Sequence, residues 1–499
     1  MTGPTATSVS PNSLEGLLAQ VETLIATVER EGTAEVRAWA PASERPGFAK
    51  SALNLAHYMA LRRRDLRPLQ RRLTALGLSS LGRLESRVMP ALLAVRTALK
   101  ALLGRAVEVV LPNPAVFAGE RRLARNTREL LGPAAAPGTA ALLVTCPAGA
   151  ANDPGFMLGL ASRGVQAVRI NCAHGGPEEW GRMIAHLRAA EAATGATVKV
   201  FMDLAGPKIR TGAVRGPKHG GRLKRGDIFG IAGPGRLAAA DADLAYATEC
   251  TLPEALAGAN VGERLFVNDG KLGARIESVE AWGLIARVVT APERGMRLKA
   301  EKGLNFPDRR LGIDALTEKD RVDLAFVAAR ADGVEFSFVQ SAGDVRMLQE
   351  ALEELRPDDW RSMAVVLKIE TALAVVNLPE IIVQAASRQP AAIMIARGDL
   401  AVEIGFTRTA EMQEEILWLA EAADVPVIWA TQVLEHLVTE GAPSRGEMTD
   451  AAMAGRSECV MLNKGPYIFE AIDALQPLLR RMGVNQHKKA PQLRRLRSW

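Results

Sequence analysis

Residues 364–370 read Ala-Val-Val-Leu-Lys-Ile-Glu and residues 391–399 read Ala-Ala-Ile-Met-Ile-Ala-Arg-Gly-Asp, two apolar runs that each end abruptly in charged groups. A run without polar alternation suits a strand covered on both faces, as in a parallel sheet. Six further runs of this kind occupy 141–145, 166–170, 198–203, 333–338, 426–431 and 459–462, each followed by a helix-like stretch. Eight buried strands alternating with helices predict an α/β fold, a closed parallel (β/α)8 TIM barrel whose active face lies at the carboxyl ends of the strands. The chemically interesting residues of the chain sit at those ends.

Working outward, residues 212–303 replace what would be a short loop between the third and fourth runs. Segments 227–232, 264–267, 274–279 and 283–289 mix apolar with polar residues, and turns such as Asn268-Asp269-Gly270 separate them. This predicts a small inserted β-barrel domain, placed as a lid over the catalytic end. The catalytic barrel is then 140–211 and 304–480. Upstream, Leu14, Leu17, Leu18, Val21, Leu24, Ile25 and Val28 recur at helical spacing, and similar periodicity runs through 53–76 and 84–103, with a break at Gly77 and Ser79-Ser80. Residues 1–131 are therefore expected to form an all-α module whose apolar stripes make a small core or an oligomer contact. His57 and Tyr58, beside Arg62-Arg63-Arg64, are a candidate anion site, and 486–499 are expected to be an exposed basic tail.

The 499 residues, 48% hydrophobic and 24% charged, leave room for two to four globular domains. The net charge of +6 is concentrated in Arg62 to Arg64, Arg71-Arg72 and the last residues, while aromatics are only 4% and no binding motif appears, so solvated basic faces are expected and no nucleic acid partner. Cys146, Cys172, Cys250 and Cys459 form no CxxC pair, which argues against a disulfide framework and a structural zinc. The polar start and the lack of a membrane-length apolar run predict a cytoplasmic protein without a membrane partner.

Strand alternation puts Lys368 and Glu370 on one face. At the next strand end, Gly398 allows close backbone approach, so the amides of Ala396 to Asp399, with Arg397, are candidates to hold an anion. Glu370 and Asp399 make an all-oxygen pair suited to Mg²⁺ or Mn²⁺. The same spacing also allows a purely structural salt bridge between Lys368 and either acid. Arg169, Lys208, Arg210 and Lys368 together predict a positive mouth for a substrate bearing phosphate and carboxylate, although any one alone could be a solvated rim charge. Thr431 would bring a hydroxyl to the substrate or serve only as a strand residue.

Seven stretches occur in an order that resembles the pyruvate kinase family. They are Arg169-Ile-Asn-Cys-Ala-His-Gly, Asp203-Leu-Ala-Gly-Pro-Lys-Ile-Arg-Thr-Gly, Asn268-Asp-Gly, Lys302-Gly-Leu-Asn-Phe-Pro, Leu367-Lys-Ile-Glu, Ala396-Arg-Gly-Asp-Leu-Ala-Val-Glu and Ala430-Thr-Gln-Val-Leu-Glu. The resemblance covers roughly 140–475 and implies phosphoryl transfer from phosphoenolpyruvate to ADP, giving pyruvate and ATP in glycolysis. By it, Glu370 and Asp399 hold Mg²⁺, Lys368 and Arg169 stabilise the phosphoryl group, and Ala396, Arg397, Gly398 and Asp399 cradle the substrate carboxylate. Thr431 serves protonation of the enolate, and Asn171, His174, Arg210 and Lys302 contact the nucleotide.

Departures from the pattern carry their own expectations. Family members that need K⁺ ligate it through positions matching Asn171, Ala173 and Asp203, and carry glutamate where this chain has Lys208. The serine oxygen is missing and an ammonium is available, so K⁺ should not be required. Asn463-Lys464-Gly465-Pro466 replaces a Ser-Gly-Glu-Thr, and few residues follow it, so the family's C-terminal regulatory domain is not expected. A homo-oligomer is expected. Alternatives are a related barrel lyase or aldolase acting on phosphoenolpyruvate or a 2-oxo acid, and a non-catalytic regulatory protein on the same barrel.

Overall fold

The computed structural model describes residues 13–39, 44–45, 47–107, 114–133, 138–217, 221–309, 311–488 and 490–491. Five helices come first: α1 (Leu14–Ala38), α2 (Phe48–Arg62), α3 (Arg67–Ala75), α4 (Val88–Leu102) and α5 (Ala118–Leu131). Ser13 starts α1 by accepting the Gly16 amide at 3.0 Å, satisfying one of the amides a helix start leaves bare. The periodic residues Leu17, Leu18, Val21, Leu24, Ile25 and Val28 form its buried stripe. The expected helix over 53–76 is two, because Pro68 in the first turn of α3 lacks the amide a continuous helix would need. The expected anion site at His57 and Tyr58 is not there: Tyr58 is 2% exposed and accepts from Arg62, while Arg63 and Arg64 pair with Glu35 and Glu31.

Strands β1 (Ala141–Thr145), β2 (Ala167–Asn171) and β3 (Lys199–Asp203) open the barrel. The chain then leaves for β4 (Thr211–Arg215), β5 (Ile228–Ala232), β6 (Ala247–Cys250), β7 (Arg264–Val267), β8 (Leu272–Glu280), β9 (Gly283–Thr290) and β10 (Leu304–Asn305). It returns for β11 (Gly333–Phe336), β12 (Ala364–Ile369), β13 (Ala391–Ala396), β14 (Val427–Ala430) and β15 (Cys459–Leu462). The eight returning and opening strands are parallel and close in the order β1-β15-β14-β13-β12-β11-β3-β2. Each falls within one of the eight expected runs to within two residues. The fourth and seventh runs stop short because Phe338 and Thr431 adopt left-handed backbone, with φ of 56° and 64°, as the chain turns over the rim.

The inserted strands form one sheet in the order β10-β7-β8-β9-β5-β6-β4, with its own core around Phe229, Leu265, Ile276 and Leu284. A lone antiparallel bridge between Arg210 and Gly303 joins its two end strands and draws the sheet toward closure. Strands β4, β6 and β10 escape the sequence reading because β10 is only two residues long and β4 and β6 lie in motif or loop-like segments. The sheet takes in Thr211 and Leu304-Asn305, just outside the expected 212–303.

The helical module is fastened to the barrel rather than standing apart. Leu130 and Leu131 of α5 share one apolar cluster with Ala141, Ala364 and Cys459, the first residues of β1, β12 and β15, and so close the barrel's amino end. Arg62 stacks on Trp418 of the helix Phe406–Ala422. Asp424, fully buried just before β14, accepts from Ser51 Oγ and Arg122 Nε, both at 2.6 Å, and its carbonyl accepts from Asn126 at 2.7 Å. At the other end, Lys488 of the expected basic tail is 8% exposed and paired with Glu458, while Gln486–His487 pairs with Ala490–Pro491. Residues 492–499 of that tail lie outside the described residues.

Burial pushes the Asp424 carboxyl up to about 6, despite the pull of Arg122. A folded-state value above the unfolded one means stability present at low pH is lost as pH rises between the two. Asp424→Asn keeps an acceptor oxygen but cannot ionise, so its melting temperature should gain on wild type as pH rises from about 4 to about 7. A pH-independent difference in thermal denaturation would contradict this.

Candidate active site

Inward-pointing side chains alternate along each strand, and the lower interior is apolar: Leu143, Phe201, Val366, Met394, Ile428 and Met461 are all buried. One step further, at the carboxyl ends, the inward positions become charged. Lys368 Nζ donates to Asp203 Oδ1 at 3.0 Å and to Ser337 Oγ at 2.7 Å, and lies 3.2 Å from Glu370 Oε1. The structural ion pair allowed by the spacing therefore forms, within a larger network. Arg169 bonds Asp203 Oδ2 through Nη2, Glu335 Oε2 through Nε at 2.9 Å, and Thr145 Oγ1 through Nη1 at 3.3 Å.

These groups are nearly dry: Lys368, Asp203, Glu370 and Glu335 are 8%, 3%, 2% and 0% exposed. Burial alone would drive each toward its neutral form. For Lys368 and Arg169 the neighbouring carboxylates outweigh it and hold both cations charged, and for Asp203 those cations hold the carboxyl below its ordinary value. Glu370 goes the other way: burial and the facing Asp399 raise it against the pull of Lys368.

Glu370 Oε2 accepts the Phe338 amide at 2.6 Å. Asp399, in the first turn of the helix Arg397–Ile404, takes Lys208 Nζ on Oδ1 at 3.1 Å. The two acids line the same cavity, and among the described residues no cluster of three or more His, Cys, Asp or Glu side chains could hold a metal by itself. A hard divalent cation that draws its remaining oxygens from substrate and water fits such a pair. The Arg397 side chain is directed away, onto the carbonyls of Ala430 and Thr431, Asp450 at 2.6 Å and the Trp429 ring. Only the backbone of that turn is left for an anion, and the Gly398 amide now donates to Thr431 Oγ1 at 2.9 Å.

One cavity of about 160 Å³ is lined by Arg169, Asn171, Asp203, Lys208, Arg210, Lys368, Glu370, Ala396, Asp399 and Thr431, bringing most of the expected residues together. A second, of about 270 Å³, runs from Asn171 to His174 and Lys464. Burial, Lys464, Arg210 and Arg169 all lower the His174 pKa, keeping the ring neutral. A wider cleft of about 320 Å³ is lined by residues 207–209 and 304–309, where Glu403 is pushed up to about 7 by burial; it shares only Lys208 and Phe338 with the first cavity, and its volume does not make it the centre of charge. Lys302 lines none of the three. The sequence reading missed Glu335, Ser337 and Lys464. Glu335 could have been found as the lone acid within the apolar run 333–336.

Residues 139–472 match the family model of the pyruvate kinase barrel domain. The chain is 30% identical over 350 residues to pyruvate kinase of Geobacillus stearothermophilus and 33% identical over 326 residues to that of Mycobacterium intracellulare. These matches cover 67% and 64% of this chain but only 56% and 64% of the relatives' lengths. A pyruvate kinase of Agrobacterium vitis is 31% identical over 351 residues, 68% of each chain. With the barrel matched from its first strand to its last and its strand ends carrying one connected set of charges, the chain belongs to the pyruvate kinase family.

Proposed function

We propose that the chain is a pyruvate kinase in activity, moving the phosphoryl group of phosphoenolpyruvate to ADP with Mg²⁺. The observation that carries this reading is the convergence of Arg169, Lys368, Glu370 and Asp399 on one small cavity at the carboxyl end of the barrel. Phosphoryl transfer asks a protein mainly for positioning and for charge placed where charge develops. Glu370 and Asp399 would hold the Mg²⁺, which when bound neutralises phosphoryl oxygens. Lys368 and Arg169 face the transferring group, and their buried carboxylate partners keep them charged at the pH of the reaction. The backbone of Ala396 to Asp399 receives the substrate carboxylate. Thr431 Oγ, on its left-handed turn, lies at the cavity wall where the enolate of pyruvate takes its proton.

Asn171, His174, Arg210 and Lys302 are proposed for the nucleotide, with Lys464 beside His174 in the second cavity. Lys302 takes part only if the lid moves, since it lies on the hinge returning from the inserted sheet. Lys208 supplies the positive charge that a monovalent cation would otherwise bring, because its ammonium already sits on Asp399 and Ala173 offers no side-chain oxygen.

A coupled assay of pyruvate release from phosphoenolpyruvate, ADP and Mg²⁺ tests the reading. Turnover should require ADP and fall by roughly 100-fold or more in Lys368→Met, as when one preorganised stabiliser of developing charge is removed. ADP-independent pyruvate release would point instead to a lyase, and binding without turnover to a regulatory protein. In Na⁺-only or Tris buffer the wild-type rate should match that with K⁺ present; silence until K⁺ is added would refute the role given to Lys208.

A further inference from the structure

Glu335 has no part in that reaction, yet it is a fully enclosed acid at the catalytic end. It stands level with Asp203 across the β11–β3 pair and level with Val366 across β11–β12. Among the described residues its side chain accepts one hydrogen bond, on Oε2 from Arg169 Nε at 2.9 Å, and Oε1 is buried without a partner. For the fold this is a poor arrangement. A third buried carboxylate beside Asp203 and Glu370 costs desolvation and repulsion, and an apolar residue of similar size would serve packing at least as well. What the arrangement does accomplish is to fix a guanidinium. Asp203 on Nη2 and Glu335 on Nε divide one edge of Arg169 between two rigid strands, and Thr145 meets Nη1. The remaining N–H groups of Nη1 and Nη2 are the donors left for the cavity that Arg169 lines.

We propose that Glu335 is a positioning residue for phosphoryl transfer, holding the Arg169 guanidinium from behind through Nε so that its outer N–H groups are presented to the transferring group. This rests on the functional reading above. It adds that Arg169 is aimed by two carboxylates on neighbouring strands, of which only Asp203 was foreseen as a site residue. Burial pushes the Glu335 carboxyl up to about 7 against the pull of Arg169, in keeping with a group kept for its bond rather than for its charge.

The test is steady-state kinetics with phosphoenolpyruvate and ADP, together with melting temperatures, for wild type, E335A, E335Q, R169K and the R169K/E335A double variant. E335A should lose up to about 100-fold in kcat, the order expected from misplacing a catalytic group by an ångström, with KM for ADP little changed. E335Q, which keeps an acceptor oxygen at the same reach, should recover most of that rate and melt no lower than wild type. Adding E335A to R169K should cost little more than R169K alone, since the two act as one unit. Should E335A fail to fold, E335D keeps the charge, withdraws the acceptor from Nε and should show the same loss of kcat. Wild-type kcat in the folded E335A or E335D variant, or a full additional loss on the R169K background, overturns the inference while leaving the functional reading intact. A wild-type protein without turnover overturns both.

Discussion

Asp203 takes Lys368 and Ser337 on one oxygen and Arg169 on the other, and much at the catalytic end depends on that division. Two cations confined in a dry cavity would repel one another and tend to neutralise; with a shared carboxylate between them they stay charged and apart. The barrel makes this possible. Its closed parallel sheet delivers neighbouring strand ends to one ring, so residues 165 positions apart, such as Asp203 and Lys368, meet without any loop having to carry them.

Around that fixed core the adjustable parts sit on the rim. Phe338 and Thr431 leave their strands through left-handed backbone, a conformation that costs free energy in non-glycine residues and that surrounding contacts must maintain. Thr431 is held by the Gly398 amide and by Arg397 on its carbonyl. The Arg397 side chain is therefore a brace for the turn, and the inserted sheet meets this rim through Asn305 of β10, which donates to Glu403 of the helix Arg397–Ile404 at 3.3 Å.

Much of this was legible in the sequence because burial on both faces leaves an unbroken apolar run, and the end of such a run marks the end of a strand. That logic locates all eight barrel strands and points to Arg169, Asp203, Lys368, Glu370 and Asp399. It fails where the local signal is short or divided. Strand β10 is too brief to show a period, β4 and β6 lie in motif or loop-like segments, and α5 buries only Gly119, Leu123, Leu130 and Leu131 along its length. Side-chain direction at the rim is equally hidden: nothing in Ala-Arg-Gly-Asp says that the arginine turns outward onto Asp450 while the aspartate stays at the cavity. Glu335 was overlooked for another reason, since an acid inside an apolar strand reads as an interruption until its inward face is recognised.

The two leucines that α5 sets against the amino ends of β1, β12 and β15 bear on what counts as one unit of this molecule. The stretch matched by the family model begins at residue 139, beyond α5. Cut there, the cylinder would keep every strand and every charged group, yet its apolar well would stand open to water at the end away from the chemistry. The apolar packing at the barrel's amino end thus includes two residues that lie outside the stretch matched by the family model. A partner, protease or ribosome meeting the barrel before α5 is seated would meet an incompletely sealed protein.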